Sequence, residues 1–133
     1  MEIKISDEKT LGEVKKEFSY LFPNLKIEFY KVSHREHEGS VNKNLLNDSL
    51  KIGRVRISHD DGQLILDSKT VTAEVENEFR KFYGLNVQVF RRSGKLWLQT
   101  TSSDDWTLEQ QEMAALERNK LREDNGMEFQ DLD

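Results

Sequence analysis

The chain has 133 residues, 35% of them hydrophobic and 34% charged, with a net charge of −5 and no cysteine. That length fits one domain with a modest core. The acidic balance disfavours a general polyanion binder, and the missing thiols exclude disulfides, cysteine nucleophiles and cysteine-based zinc sites. Residues 1–6 lack a basic stretch followed by an apolar one, and no apolar run approaches membrane-spanning length, so a soluble cytoplasmic protein is expected.

Residues 2–6 predict a short strand with Ile3 and Ile5 on one face. Thr10 and Glu13 fit a capping box, and Leu11, Val14, Phe18, Leu21 and Phe22 are spaced as one apolar helical stripe that Pro23-Asn24 stops. Residues 25–32 read as a strand, with Leu25, Ile27 and Phe29 facing one way and Glu28 and Tyr30 the other. Residues 33–48 are polar and read as a loop, and Asp48-Ser49-Leu50-Lys51-Ile52 as a capped helical turn. His59-Asp60-Asp61-Gly62 is turn-like, and residues 63–67 form a short strand. A second helix over 70–83 carries Val71, Val75, Phe79, Phe82 and Tyr83, and Gly84 ends it. A third helix over 107–122 starts at Asp105 or at Thr107 with Gln110; Leu108, Ala115 and Leu116 give it a weak apolar stripe. Residues 123–133 are acidic and expected to be a disordered tail.

Between the second and third helices, residues 86–101 predict a tight β-hairpin around Ser93-Gly94. With that two-residue loop, Arg92 pairs with Lys95, Phe90 with Trp97 and Gln88 with Gln99. Alternation gives the ribbon two faces. Val87, Val89, Leu96 and Leu98 form a core face with Arg91 near the turn, while Gln88, Phe90, Arg92, Lys95, Trp97 and Gln99 form an amphipathic one.

Residues 10–32 laid over 70–92 bring Thr10 onto Thr70, Leu25 onto Leu85, Ile27 onto Val87, Phe29 onto Val89 and Tyr30 onto Phe90. The expected architecture is therefore α+β: one domain over residues 1–122, built from two β-α-β repeats at about 2–58 and 63–122. The repeats should share a mixed sheet of about five strands with helices on one face, plus a C-terminal helix, in a ferredoxin-like style. A crossover through a helix is expected to make the flanking strands parallel and the connection right-handed.

Tyr83-Gly84-Leu85-Asn86-Val87-Gln88-Val89-Phe90-Arg91-Arg92-Ser93-Gly94, continuing through Trp97 to residues 104–111, resembles the signature of a family of small uncharacterised bacterial proteins. Residues 21–30 are similar to that family too, and the likeness spans roughly residues 1–112. It implies a bacterial domain and no assigned chemistry, so it lends no site residues.

Chemical motifs are sparse. His34 and His37, with Glu36 and Glu38, have metal-ligand spacing, but they sit in a polar loop without a helical stripe. His59 with Asp60 and Asp61 could form a His-carboxylate pair for acid-base work, but a turn before Gly62 is the simpler reading, and Asp104-Asp105 reads as a helix cap. No glycine-rich phosphate loop or nucleophile elbow is present, and no cofactor or metal is implied. The aromatic and basic hairpin face remains. It is either a second small core covered by the third helix and Trp106, a surface for a protein partner or self-association, or a platform for single-stranded nucleic acid. Tyr30, matching Phe90 in the first repeat, extends it. The expected role is a non-enzymatic interaction or regulatory module using Tyr30, Gln88, Phe90, Arg92, Lys95, Trp97 and Gln99. Nucleic-acid binding by the same face is the alternative.

Overall fold

The computed structural model describes residues 1–31 and 39–124, with side chains as far as Lys120. The His34–Glu38 motif and residues 125–133 lie outside the described residues. The elements are β1 (Glu2–Ile5), α1 (Leu11–Leu21), β2 (Leu25–Tyr30), α2 (Ile52–Val55), β3 (Gly62–Ile65), α3 (Thr72–Tyr83), β4 (Asn86–Ser93), β5 (Leu96–Gln99) and α4 (Leu108–Asp124). The chain is α+β, with a C-terminal helix and five described strands.

Local chemistry sets the helix ends. Thr10 Oγ1 accepts the Glu13 N–H at 3.2 Å, and Glu13 Oε1 accepts the Thr10 N–H at 3.1 Å, completing the capping box of α1. Thr107 and Gln110 repeat the device at α4: Thr107 Oγ1 accepts the Gln110 N–H at 3.1 Å, and Gln110 Oε1 accepts the Thr107 N–H at 2.9 Å. Helix α3 has Val71 at its N-cap and no side-chain cap. It ends where Gly84 turns left-handed at φ +64, a conformation that costs a side-chain-bearing residue about 1–2 kcal/mol.

The strands form two antiparallel sheets, a β1-β3 ribbon and a β2-β4-β5 sheet, in place of the expected mixed sheet with parallel neighbours. The crossover rule presumes that both flanking strands join one sheet. Here α1 leaves β1 in the ribbon and delivers β2 to the other sheet, so β1 pairs with β3 and β2 with β4 of the other half, while the β4-β5 hairpin pairs within its own half. Glu2 faces Ile65 and Ile5 faces Gly62 in the ribbon, while Lys26 faces Phe90, Glu28 faces Gln88 and Tyr30 faces Asn86 in the sheet.

The helix starts are held the same way in both halves. Leu11 and Gly12 donate their N–H groups to the carbonyls of Leu50 and Asp48 (both 2.9 Å), while Ile52 and Gly53 donate to Lys9 and Asp7 at 2.8 and 3.1 Å. In the second half Thr72 and Ala73 donate to Trp106 and Asp104 (2.8 and 2.9 Å), and Leu108 and Glu109 donate to Thr70 and Ser68 (both 2.9 Å). Each pair of helices thereby satisfies amide groups that a helix start leaves without intrahelical partners.

One core joins the two sheets through the helices. Ile3, Ile5 and Leu64 of the ribbon pack with Leu11, Phe18, Val75 and Phe79 of α1 and α3, and with Ile27, Phe29, Val87 and Val89 of the three-stranded sheet. Leu108 and Ala115 of α4 are buried, but Leu116 and Phe82, both expected on apolar stripes, are 54% exposed. Buried Gln111 sits in α4 instead. Its Nε2 donates to the Ser103 carbonyl at 2.9 Å and to Thr72 Oγ1 at 3.1 Å, and its Oε1 accepts from Arg91 at 2.7 Å. No helix among the described residues is long and apolar enough to cross a membrane.

Candidate interaction face of the hairpin

The turn that shapes the face lies one residue later than expected. Ser93 pairs with Leu96, leaving Gly94-Lys95 as the loop, with Gly94 at φ +62. Glycine at the first loop position suits the primed hairpin turns, whose twist matches the strands. The register moves by two: Arg92 faces Trp97 and Phe90 faces Gln99, while Lys95 sits in the loop. A two-residue shift preserves which side chains share a face.

The helices and Trp106 lie on the other side of the sheet. Trp106 packs against the Arg91 guanidinium, whose carbon is 5.3 Å from the indole centroid, and Arg91 also donates to Gln111 of α4. Phe90 and Trp97 are thus not covered by α4 and Trp106. Their face is shared with Lys26, Glu28 and Tyr30 of β2, because Lys26 is the antiparallel partner of Phe90. The Lys26 ammonium stands 5.1 Å from the centroids of both Phe90 and Trp97, and the Arg92 guanidinium lies 5.5 Å from that of Trp97. The indole therefore has two cations within cation–π range of its ring.

The predicted site residues are unequally accessible. Tyr30 and Gln88 are buried, and Phe90 is only 9% exposed. Burial, with Glu28 adding to it, pushes the Tyr30 phenol up to about 12. Gln99 is half-buried beneath the chain at Ser40: its Oε1 accepts the Ser40 N–H at 2.9 Å and its Nε2 donates to the Ser40 carbonyl at 3.0 Å. Ser40 Oγ reaches Gln88 Oε1 at 3.4 Å. Arg92 and Lys95 are exposed and Trp97 is half-buried.

Trp97 lines a groove of about 650 Å³ together with Lys15, Lys16, Lys26, Asn47, Asp48 and Ser49. Lys15 bonds Glu28 at 2.5 Å and Asp48 at 2.7 Å. Burial pulls its ammonium down, but the hydrogen bonds to Asp48 and Glu28 outweigh it and raise the pKa. Sequence reasoning missed Lys15, Lys26 and Ser40. Period-two alternation already puts Lys26 on the face of Glu28 and Tyr30, but only the antiparallel register of β2 with β4 sets it opposite Phe90.

His59 is also paired differently from its sequence neighbourhood. Its Nδ1 lies 2.8 Å from Asp7 Oδ2. Asp7 Oδ1 accepts from Nε and Nη2 of the fully buried Arg56 side chain, at 3.0 and 2.8 Å. Arg56 Nη1 donates to the carbonyls of Asp60 and Tyr83. The Arg56 hydrogen bonds, with His59 adding to them, hold the Asp7 carboxyl below its ordinary value. Asp104 is buried, and its carbonyl rather than its side chain receives the first turn of α3. Among the described residues no group of three or more His, Asp or Glu side chains is placed to hold a metal ion.

No family model, curated protein or solved structure matches the chain. The likeness to a family of uncharacterised bacterial proteins gains no support from these comparisons and assigns no role to any residue.

Proposed function

We propose that the chain is a non-enzymatic protein-interaction module that engages its partner through the hairpin face. The observation that carries this reading is Trp97, half-buried, lining the groove, with the Lys26 and Arg92 cations within 5.5 Å of its ring. An indole already fixed by its neighbours loses little side-chain freedom on binding, and Trp and Arg dominate binding energy at protein interfaces. Burial of Tyr30, Gln88 and Phe90 leaves Trp97, Arg92 and Lys95 as the accessible part of the predicted set.

The test is Trp97→Ala in the full chain. Partner capture should fall by about tenfold or more while thermal unfolding by circular dichroism is preserved. If the variant unfolds, the indole is part of the core and the reading fails. Single-stranded nucleic acid is the second reading, favoured by the two cations flanking one indole. It predicts oligonucleotide binding that weakens steeply with salt, with the slope reduced by about one on Arg92→Ala. Burial of Phe90 and Tyr30 removes two of its three stacking faces.

A further inference from the structure

β5 ends its sheet, and the hydrogen-bond parity shows which backbone groups it leaves outward. Arg92 donates its N–H to the Asn24 carbonyl on the β2 side, and Thr100 donates to the Val89 carbonyl on the β5 side. In an antiparallel ladder these alternate. Leu96 and Leu98 therefore face β4, while the N–H and C=O groups of Trp97 and Gln99 point away from the sheet. Among the described residues no strand pairs with that edge. Exposed edges are commonly blunted by proline, bulges or a covering element. β5 has the sequence Leu-Trp-Leu-Gln, with neither proline nor charge.

Charge selects the occupant. The chain carries 25 acidic residues, yet residues 85–103 contain none and hold Arg91, Arg92 and Lys95. The Arg92 guanidinium leans over Trp97, toward the open edge, with Lys26 on the same face. A second copy pairing through the same edge would bring two such basic sets together, which like charge opposes. We propose that the outer edge of β5 takes an extended acidic peptide segment of a partner protein as a fourth strand, with the Trp97 and Gln99 backbone forming the ladder and Arg92 meeting the carboxylates. This rests on the hairpin-face reading and names its partner's chemistry. Strand addition draws affinity from main-chain bonds and specificity from alternate side chains.

The experiment uses the full chain and labelled peptides about eight residues long in which glutamate alternates with valine. Fluorescence anisotropy should show saturable binding. Replacing glutamate by lysine, or N-methylating alternate peptide amides, should weaken it by about tenfold or more, and Arg92→Ala by about fivefold. Hydrogen exchange should slow at the Trp97 and Gln99 amides and stay unchanged at Leu96 and Leu98. The inference is overturned if the N-methylated peptide binds equally well, since charge alone then suffices. Absence of binding overturns it too, as does a sedimenting dimer that protects the same two amides. If the peptides fail while partner capture still depends on Trp97, the edge inference falls and the hairpin-face reading stands. If both fail, both fall.

Discussion

Arg56 shows how much a single residue can organise when its side chain is fully buried. Its guanidinium joins Asp7 at the end of the ribbon, the Asp60 carbonyl in the connecting loop and the Tyr83 carbonyl at the end of α3. Removing it leaves three acceptors without their donor, so Arg56→Met should destabilise the fold by about 3 kcal/mol, read as a lower urea midpoint with unchanged slope. Asp7 adds a pH dependence whose sign follows from its lowered pKa. Its stabilising contribution is complete above the ordinary carboxylate value of 3.8 and is lost as the pH falls through the lower folded value. Asp7→Asn should therefore flatten that part of the acid limb in urea midpoints measured below about pH 4. A variant that keeps the wild-type acid slope would assign the slope to other carboxylates. None of this was legible locally: His59 stands beside Asp60 and Asp61 in sequence, but its partner is Asp7, which only the fold brings near.

Elements were legible where their determinants lie within a few residues. Thr10 with Glu13, Thr107 with Gln110, and Gly84 each act on a neighbouring amide or on their own backbone, and each stands in the role its spacing implied. Thr10→Ala should lose about 1 kcal/mol with the cap, and Gly94→Ala about 1–2 kcal/mol for forcing a side chain to positive φ, both measurable by denaturant titration. The hairpin marks the boundary of such reasoning. Ser93-Gly94 and Gly94-Lys95 are both two-residue loops containing the same glycine, and they differ by two in register. The assignment of Phe90 and Trp97 to one face survived that shift, while their cross-strand partners changed. Sheet pairing was less legible still, because a helix between two strands does not dictate that they share a sheet. The site suffered accordingly: seven residues were placed on one face, but Lys26, the cation that joins two of its aromatics, belongs to a strand assumed to run parallel.

At the scale of the molecule, the two halves are interleaved. Each sheet pairs a strand of the first half with one of the second, and Asn24 after α1 is held by Glu112 of α4 through two contacts of 2.9 Å. Arg56 ties the first half to the end of α3 in the opposite direction. The ribbon, and the β2-β4 ladder of the larger sheet, need both halves, so the chain should unfold as one unit despite the repeat expected from its sequence. Trp97 and Trp106 make this testable, since both tryptophans lie in the second half. Leu11, fully buried at the start of α1, belongs to the first. Leu11→Ala should cost about 3 kcal/mol through lost burial and the cavity left behind. If the halves are one cooperative unit, tryptophan fluorescence must report that loss in full, with the same midpoint and slope as far-ultraviolet circular dichroism. Were the first half to melt independently, dichroism would fall first while the fluorescence midpoint stayed at its wild-type value. The antiparallel pairing of Ile27 with Val89 and of Ile3 with Leu64 leaves no route to that second outcome without breaking both sheets.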